Sequence, residues 1–172
     1  MIVIEIIDIK NFMAHLLLQE TFDNFLLFEA WAVTSSELVL NGKRHQNWYD
    51  SDQWELMMHT HGQYDCRYMT WGEMRSIVFR FIKGKKSPDR LYIDLTASEK
   101  QRMQIIGEKG IRQTEVAPDL RMQIRYEEGR LLLVPTASYP SFTFDKAAER
   151  KWEEALQLFL SHKKIVFHLL NE

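Results

Sequence analysis

His59, His61 and Cys66 lie within eight residues, HTHGQYDC, and are the soft side chains best placed in sequence to do chemistry. Two readings of them are chemical. As metal ligands they supply one HxH pair and the chain's single thiol, with Asp65 or the distant His45 able to complete a set. A structural zinc site uses four ligands, usually as two close pairs, and no second close pair or CxxC is present. As a nucleophile, Cys66 needs a thiol pKa lowered by an imidazole or a helix N-terminus. A capping box four residues on makes the second of these conceivable. The spacing also fits a third, structural reading. His59 falls in the last turn of a short helix, where a cationic group complements the dipole, and His61 follows it. Gly62 ends the helix, and Cys66 packs in a predicted strand between Asp65 and Arg67. A lone thiol in such a setting behaves as a small hydrophobe. This third reading is preferred, and neither a metal nor another cofactor is expected.

Two other groups could bind a partner. Lys83, Lys85 and Lys86, with Arg90 nearby, form the densest basic cluster and could meet phosphates or an acidic protein. At a helix end they equally complement the dipole, as do Lys163 and Lys164 after the last helix. Trp48, Tyr49 and Trp54 crowd a polar segment and form either a protein-binding patch or a lid on the core. Phosphate-binding glycine loops are missing, as are HExxH and GxSxG. Paired carboxylates such as Asp50/Asp52, Glu127/Glu128 and Glu153/Glu154 sit in caps, turns or solvated helix faces, with no apolar surroundings to raise a pKa.

The chain of 172 residues is 45% hydrophobic and 27% charged, ordinary globular values that argue against disorder. A domain of this size buries roughly 70% of its unfolded surface and folds without staples. Seven Gly and four Pro leave little material for linkers, so a single domain over 1–172 is expected. The net charge of −2 does not push the chain towards polyanions, which makes nucleic acid the less favoured partner. A protein partner or a homo-oligomer is favoured instead. One cysteine fits a reducing compartment, the acidic MIVIEIIDIK makes a poor signal peptide, and no run reaches the ~20 apolar residues of a membrane helix. These features point to a cytoplasmic protein without a membrane partner.

The elements that must position these groups follow from periodicity and caps. Ile2, Ile4 and Ile6 alternate as a strand, and Asp8 caps a helix to about Gln19 with Phe12, Met13, Leu16 and Leu17 inward. Residues 25–33 read as a well-buried strand, turned by Thr34, Ser35 and Ser36 into a second strand that Asn41-Gly42 can end. Asp50 or Ser51 starts the short helix with Trp54, Met57 and Met58 on its apolar side, and an extended piece over 63–68 follows it. Thr70 and Glu73 form a capping box for a helix to about Lys83, stopped at Gly84. A strand over 90–97, a helix opened by Ser98, an irregular stretch over 110–120 and a hairpin turned at Gly129 come next. A short strand over 141–144 precedes a long helix capped by Asp145, and 165–170 is either a strand or more helix. Hairpins outnumber crossovers. The fold class is α+β, a mainly antiparallel sheet with about five helices packed on it.

Three stretches, 7–30, 81–95 and 142–160, resemble an uncharacterised family of short Firmicute proteins, a likeness that brings no activity or site residue with it. At the level of element order the chain is also similar to the repeating unit of sliding DNA clamps, which implies a clamp-like shape and a nucleic-acid partner. Three functions are weighed. The first is a non-enzymatic binding or self-associating protein. The second is a metal or thiol enzyme on His59, His61 and Cys66. The third is a clamp-like nucleic-acid binder.

Overall fold

Ile4 and Ile6 are fully or almost fully buried, whereas Val3 before them and Glu5 between them are not, so the first strand puts one face into a core. The same two-residue alternation recurs along most of the strands. A computed structural model describes residues 1–107 and 117–170, and among these it shows seven strands in one sheet and five α-helices. In chain order they are β1 (Val3–Ile6), α1 (Ile9–Leu17), β2 (Leu26–Val33), β3 (Glu37–Asn41) and a 3₁₀ turn (Gln46–Trp48). Then come α2 (Ser51–Asp65), α3 (Trp71–Ile82), β4 (Arg90–Thr96) and α4 (Glu99–Ile106). The hairpin β5 (Asp119–Glu127) and β6 (Arg130–Ser138), α5 (Ala147–His162) and β7 (Phe167–Leu170) complete the set. The strand order is β3-β2-β4-β5-β6-β1-β7, and every neighbouring pair is antiparallel. The molecule is therefore α+β.

Local chemistry explains the helix starts. Asp8 accepts the Asn11 N–H, and Thr70 and Ser98 form reciprocal capping boxes with Glu73 and Gln101. The β5–β6 turn is two residues long, with Glu128 and Gly129 both at positive φ, as a type I′ loop requires. One face of the sheet, with Ala30, Ala32, Leu91, Ile93, Leu95, Met122, Ile124 and Leu133, shares a single apolar cluster with α1, α3, α4 and α5. Trp71 is wholly buried there and donates its indole N–H to the Leu16 carbonyl at 2.8 Å. The buried apolar side chains of these helices belong to that core, Arg102 of α4 is buried outside it, and α2 buries none.

The opposite face carries Glu29, Trp31, Tyr92, Asp94, Arg121, Gln123 and Arg125 on adjacent strands, as the register dictates. Trp31 and Tyr92 stack at 5.5 Å, with the Arg90 and Arg125 guanidiniums over them at 5.7 and 5.8 Å. Asp94 is completely buried in this face, held by the Arg121 fork and by the Tyr92 hydroxyl at 3.3 Å.

Several expectations need correction. Residues 63–65 are helical rather than extended: Gly62 (φ 85°, ψ 163°) kinks α2, and the helix resumes for one more turn. Cys66 therefore caps that turn instead of lying in a strand. Residues 141–144 form no strand, and Phe142 and Phe144 stand 85% and 89% exposed. Alternating apolar residues need a neighbour to pair with, and β6 already has β5 and β1 on its two sides. The last six residues before 171 supply a strand, β7, along β1. Gly84 follows α3 without a left-handed φ, because Lys83 has already turned extended. Most of the irregular stretch over 110–120 lies outside the described residues. Among those described, no helix is long and apolar enough to cross a membrane.

Candidate ligand-binding cleft

Gly42 begins the construction of the cleft. A Cβ there would sit 1.7 Å from the Leu27 carbonyl oxygen, so only glycine lets the chain press against the start of β2. Its N–H bonds the Phe28 carbonyl at 3.0 Å, and its carbonyl accepts from Met69 at 2.7 Å. This fastening brings the segment after β3 beside the segment after α2. Lys43 bridges Tyr68, and the Arg44 N–H reaches the Arg67 carbonyl at 2.9 Å. Cations far apart in the chain are thereby set side by side.

Lys43, Arg44, His45, Arg67, Tyr68 and Trp54, together with Gln46 and Asn47, line a cavity of about 560 Å³. Every charged group in this lining is basic. Arg44 is the anchor, with its side chain only 6% exposed. It donates to the Tyr49 hydroxyl at 3.3 Å, to the Met69 sulfur at 3.1 Å and to Glu73 Oε2 at 2.8 Å. Its Nε is buried with no partner among the described residues. Burial works against the Arg44 charge, but the Tyr49 and Glu73 bonds outweigh it and hold the guanidinium above its ordinary value. Burial alone would raise the Glu73 carboxyl, whereas the Thr70 N–H and Arg44 hold it below the usual range.

A second cavity of about 580 Å³ adjoins the first, lined by His61, Gly62, Gln63, Tyr64, Glu99 and Arg102, and it shares the Arg67 wall. The Gly62 kink aims the last turn of α2 at α4, where Asp65 accepts the Glu99 N–H at 2.8 Å. The Tyr64 ring lies between the guanidiniums of Arg67 (4.3 Å) and Arg102 (4.2 Å). Its hydroxyl donates to Asp119 at 2.7 Å. Burial first, and then that bond, pushes the phenol far up, so it stays a donor at any working pH. Arg102 bonds Glu99 and the Ala117 carbonyl, both at 3.2 Å, and its Nε is likewise buried without a partner among the described residues.

The residues singled out from sequence are scattered over this frame. Trp54 lines the first cavity, with Tyr49 5.7 Å from it, while Trp48 projects from the 3₁₀ turn at 85% exposure. Lys83, Lys85 and Lys86 form an exposed loop with Thr34 and Asp89, at the far end of β2 from the cleft. Arg90 pairs with Asp89 at 3.7 Å. The structure therefore does not join the basic loop to the aromatic segment. His59 and His61 are exposed, whereas Cys66 is buried with its thiol 3.5 Å from the Gln63 carbonyl. Among the described residues no three His, Cys, Asp or Glu side chains are arranged to hold a metal ion. Sequence reasoning passed over Lys43 and Arg44, which it read as the end of a strand, weighed His45 only as a distant metal ligand, and also passed over Arg67, Tyr68 and Arg102 as binding residues. The one available signal was a run of three basic residues directly after Asn41-Gly42.

Fold and cleft together define an all-antiparallel α+β protein with a cationic, aromatic-walled cleft at one corner of its sheet. The chain belongs to a family described as a family of unknown function (DUF5721), whose model matches residues 15–168. That match carries neither a bacterial lineage nor a likeness to sliding clamps. No curated protein and no solved structure matches the chain.

Proposed function

We propose that the protein is a cytoplasmic, non-enzymatic binding protein whose ligand carries a phosphate group and a planar ring. The observation that carries this reading is a cavity whose charged lining is wholly basic, with Lys43, His45 and Arg67 gathered around the anchored Arg44. Cations held side by side repel one another unless an anion lies among them, and a phosphate supplies that charge. Lys43, His45 and Arg67 add charge around the same space, and Trp54 and Tyr68 offer ring faces beside it. About 560 Å³ suits a mononucleotide-sized molecule. The lining of the cavity holds no carboxylate, thiol or aliphatic hydroxyl, which favours binding over turnover. The buried, unpaired Cys66 accords with a reducing compartment.

The test is calorimetric titration with inorganic phosphate and with a nucleoside monophosphate. The reading expects the nucleotide to bind more tightly than phosphate. A Lys43→Gln/His45→Gln variant, altered only at exposed positions, is expected to lose at least about tenfold in affinity without a change in melting temperature. No heat from either ligand at low salt sinks the reading.

A second reading has one observation in its favour. The exposed Trp48, and the Phe142–Phe144 pair in edge contact at 4.9 Å, suit a protein partner or self-association. Sedimentation coefficients that do not change with concentration would remove the self-association form.

A further inference from the structure

Resting on the proposal of a phosphate-bearing ligand, we infer that this ligand is a single-stranded nucleic acid spanning both cavities. Two observations beyond the first pocket support the step. First, the second cavity repeats the design of the first, a largely buried arginine in its wall, here Arg102, and the two cavities share the Arg67 wall. A ligand with one phosphate fills one such site, whereas a chain of phosphodiesters fills both. Second, cations and rings form one continuous run along the path. Arg102 and Arg67 flank the Tyr64 ring, Arg67 lies 5.4 Å from the Tyr68 ring, Tyr68 lies 5.8 Å from Phe28, and Arg121 covers Phe28 at 3.9 Å. The track thus leads from the cleft onto the sheet face that the helix side chains leave free.

A run of this kind suits a polymer that carries both charge and planar bases along its length. A positively charged groove follows the backbone, while guanidinium planes and the Trp54 ring in the lining of the first cavity meet bases. Only unpaired bases can turn their faces towards such groups, so a single strand fits and a duplex does not. The net charge of −2 is no obstacle, because the two cavities gather Lys43, Arg44, His45, His61, Arg67 and Arg102 against three carboxylates, Glu99 in the lining, Glu73 on Arg44 and Asp119 at 3.9 Å from Arg67.

The experiment compares thymidine monophosphate with unlabelled oligothymidylates of two, four and eight nucleotides, and with inorganic tripolyphosphate, by calorimetry on the full chain. Affinity is expected to rise at least about fivefold for the first added nucleotide and to level off once both cavities are filled. Arg67→Gln, at a side chain 45% exposed, should flatten this length dependence. It should also reduce the slope of log K against log salt by about 0.7. Circular dichroism confirms that the variant is folded, and His61→Gln provides a second variant at an exposed position. Monophosphate binding as tight as the octamer overturns the inference and leaves the phosphate-binding proposal standing. Tripolyphosphate binding as tight as the octamer overturns the nucleic-acid assignment alone. No binding by any of these ligands overturns both.

Discussion

Replacing Arg121 by Met should destabilise the protein by about 3 kcal/mol at pH 7, and the loss should shrink as the solution is acidified. Asp94 has no exposed surface, and Arg121 supplies two of its three hydrogen bonds. Methionine keeps an apolar stem near the Phe28 ring but leaves the carboxylate with Tyr92 alone. Breaking a buried ion pair in this way costs about 3–5 kcal/mol, and the surviving Tyr92 bond offsets about 1 kcal/mol of that. Protonation offers an escape. The deficit cannot greatly exceed the work of protonating an ordinary aspartate, about 4 kcal/mol at pH 7 and about 1.5 kcal/mol at pH 5. Burial already raises the Asp94 carboxyl above its ordinary value despite the opposing Arg121 contact. An acid with a raised folded pKa adds stability at low pH and loses it as pH rises through that pKa. The variant raises the pKa further, so its deficit should be about 3 kcal/mol at pH 7 and about 1 kcal/mol at pH 5. Urea unfolding followed by tryptophan fluorescence at the two pH values measures both. Adding Asp94→Asn removes the orphaned charge and should recover most of the loss at pH 7. A deficit under about 1 kcal/mol at pH 7, or one equal at both pH values, refutes the reasoning.

Four other outcomes can be checked alongside it. Gly42→Ala drives a Cβ into the Leu27 carbonyl and should cost about 3 kcal/mol or more, displacing Lys43 and Arg44 so that phosphate binding falls with stability; urea midpoints and calorimetry report the two. Thr70→Ala removes half of a capping box and should lower stability by about 1 kcal/mol in the same assay. The Glu73 carboxyl is held below its ordinary value, so its contribution is complete above the unfolded pKa of about 4.3 and is lost as pH falls through the folded value. Carbon-detected NMR titration should show that low midpoint in the wild type and an upward shift in Arg44→Met. Phe142→Ser with Phe144→Ser alters two exposed rings and should leave stability within about 0.5 kcal/mol per site by thermal melting.

Whatever depends on neighbours three or four residues away was legible before the fold was known. Asp8, Thr70 and Ser98 announce their helices because a side-chain oxygen reaches an N–H three residues on. The inward stripes of α1, α3 and α5, and the Glu128-Gly129 turn, are equally local. The alternation at 141–144 misled because a strand is completed by its partner, and no position beside β6 was free. Reading 63–68 as extended failed for a related reason: one glycine at φ 85° breaks a helix without forbidding another turn beyond it.

The sequence by itself determined the helices, the hairpin, the α+β class and the lack of a recognisable catalytic motif, since these rest on short-range caps, spacing and residue type. Only the tertiary structure decided which cations gather. Lys43 and Arg44 meet Arg67 and Tyr68 because a glycine without a Cβ lets two distant segments bond across the start of β2. Tyr64 meets Arg102 because the kink at Gly62 turns the end of α2 towards α4. Asp94 looks like any strand carboxylate in sequence, and it is a buried charge only because long-range antiparallel pairing places Arg121 and Tyr92 around it.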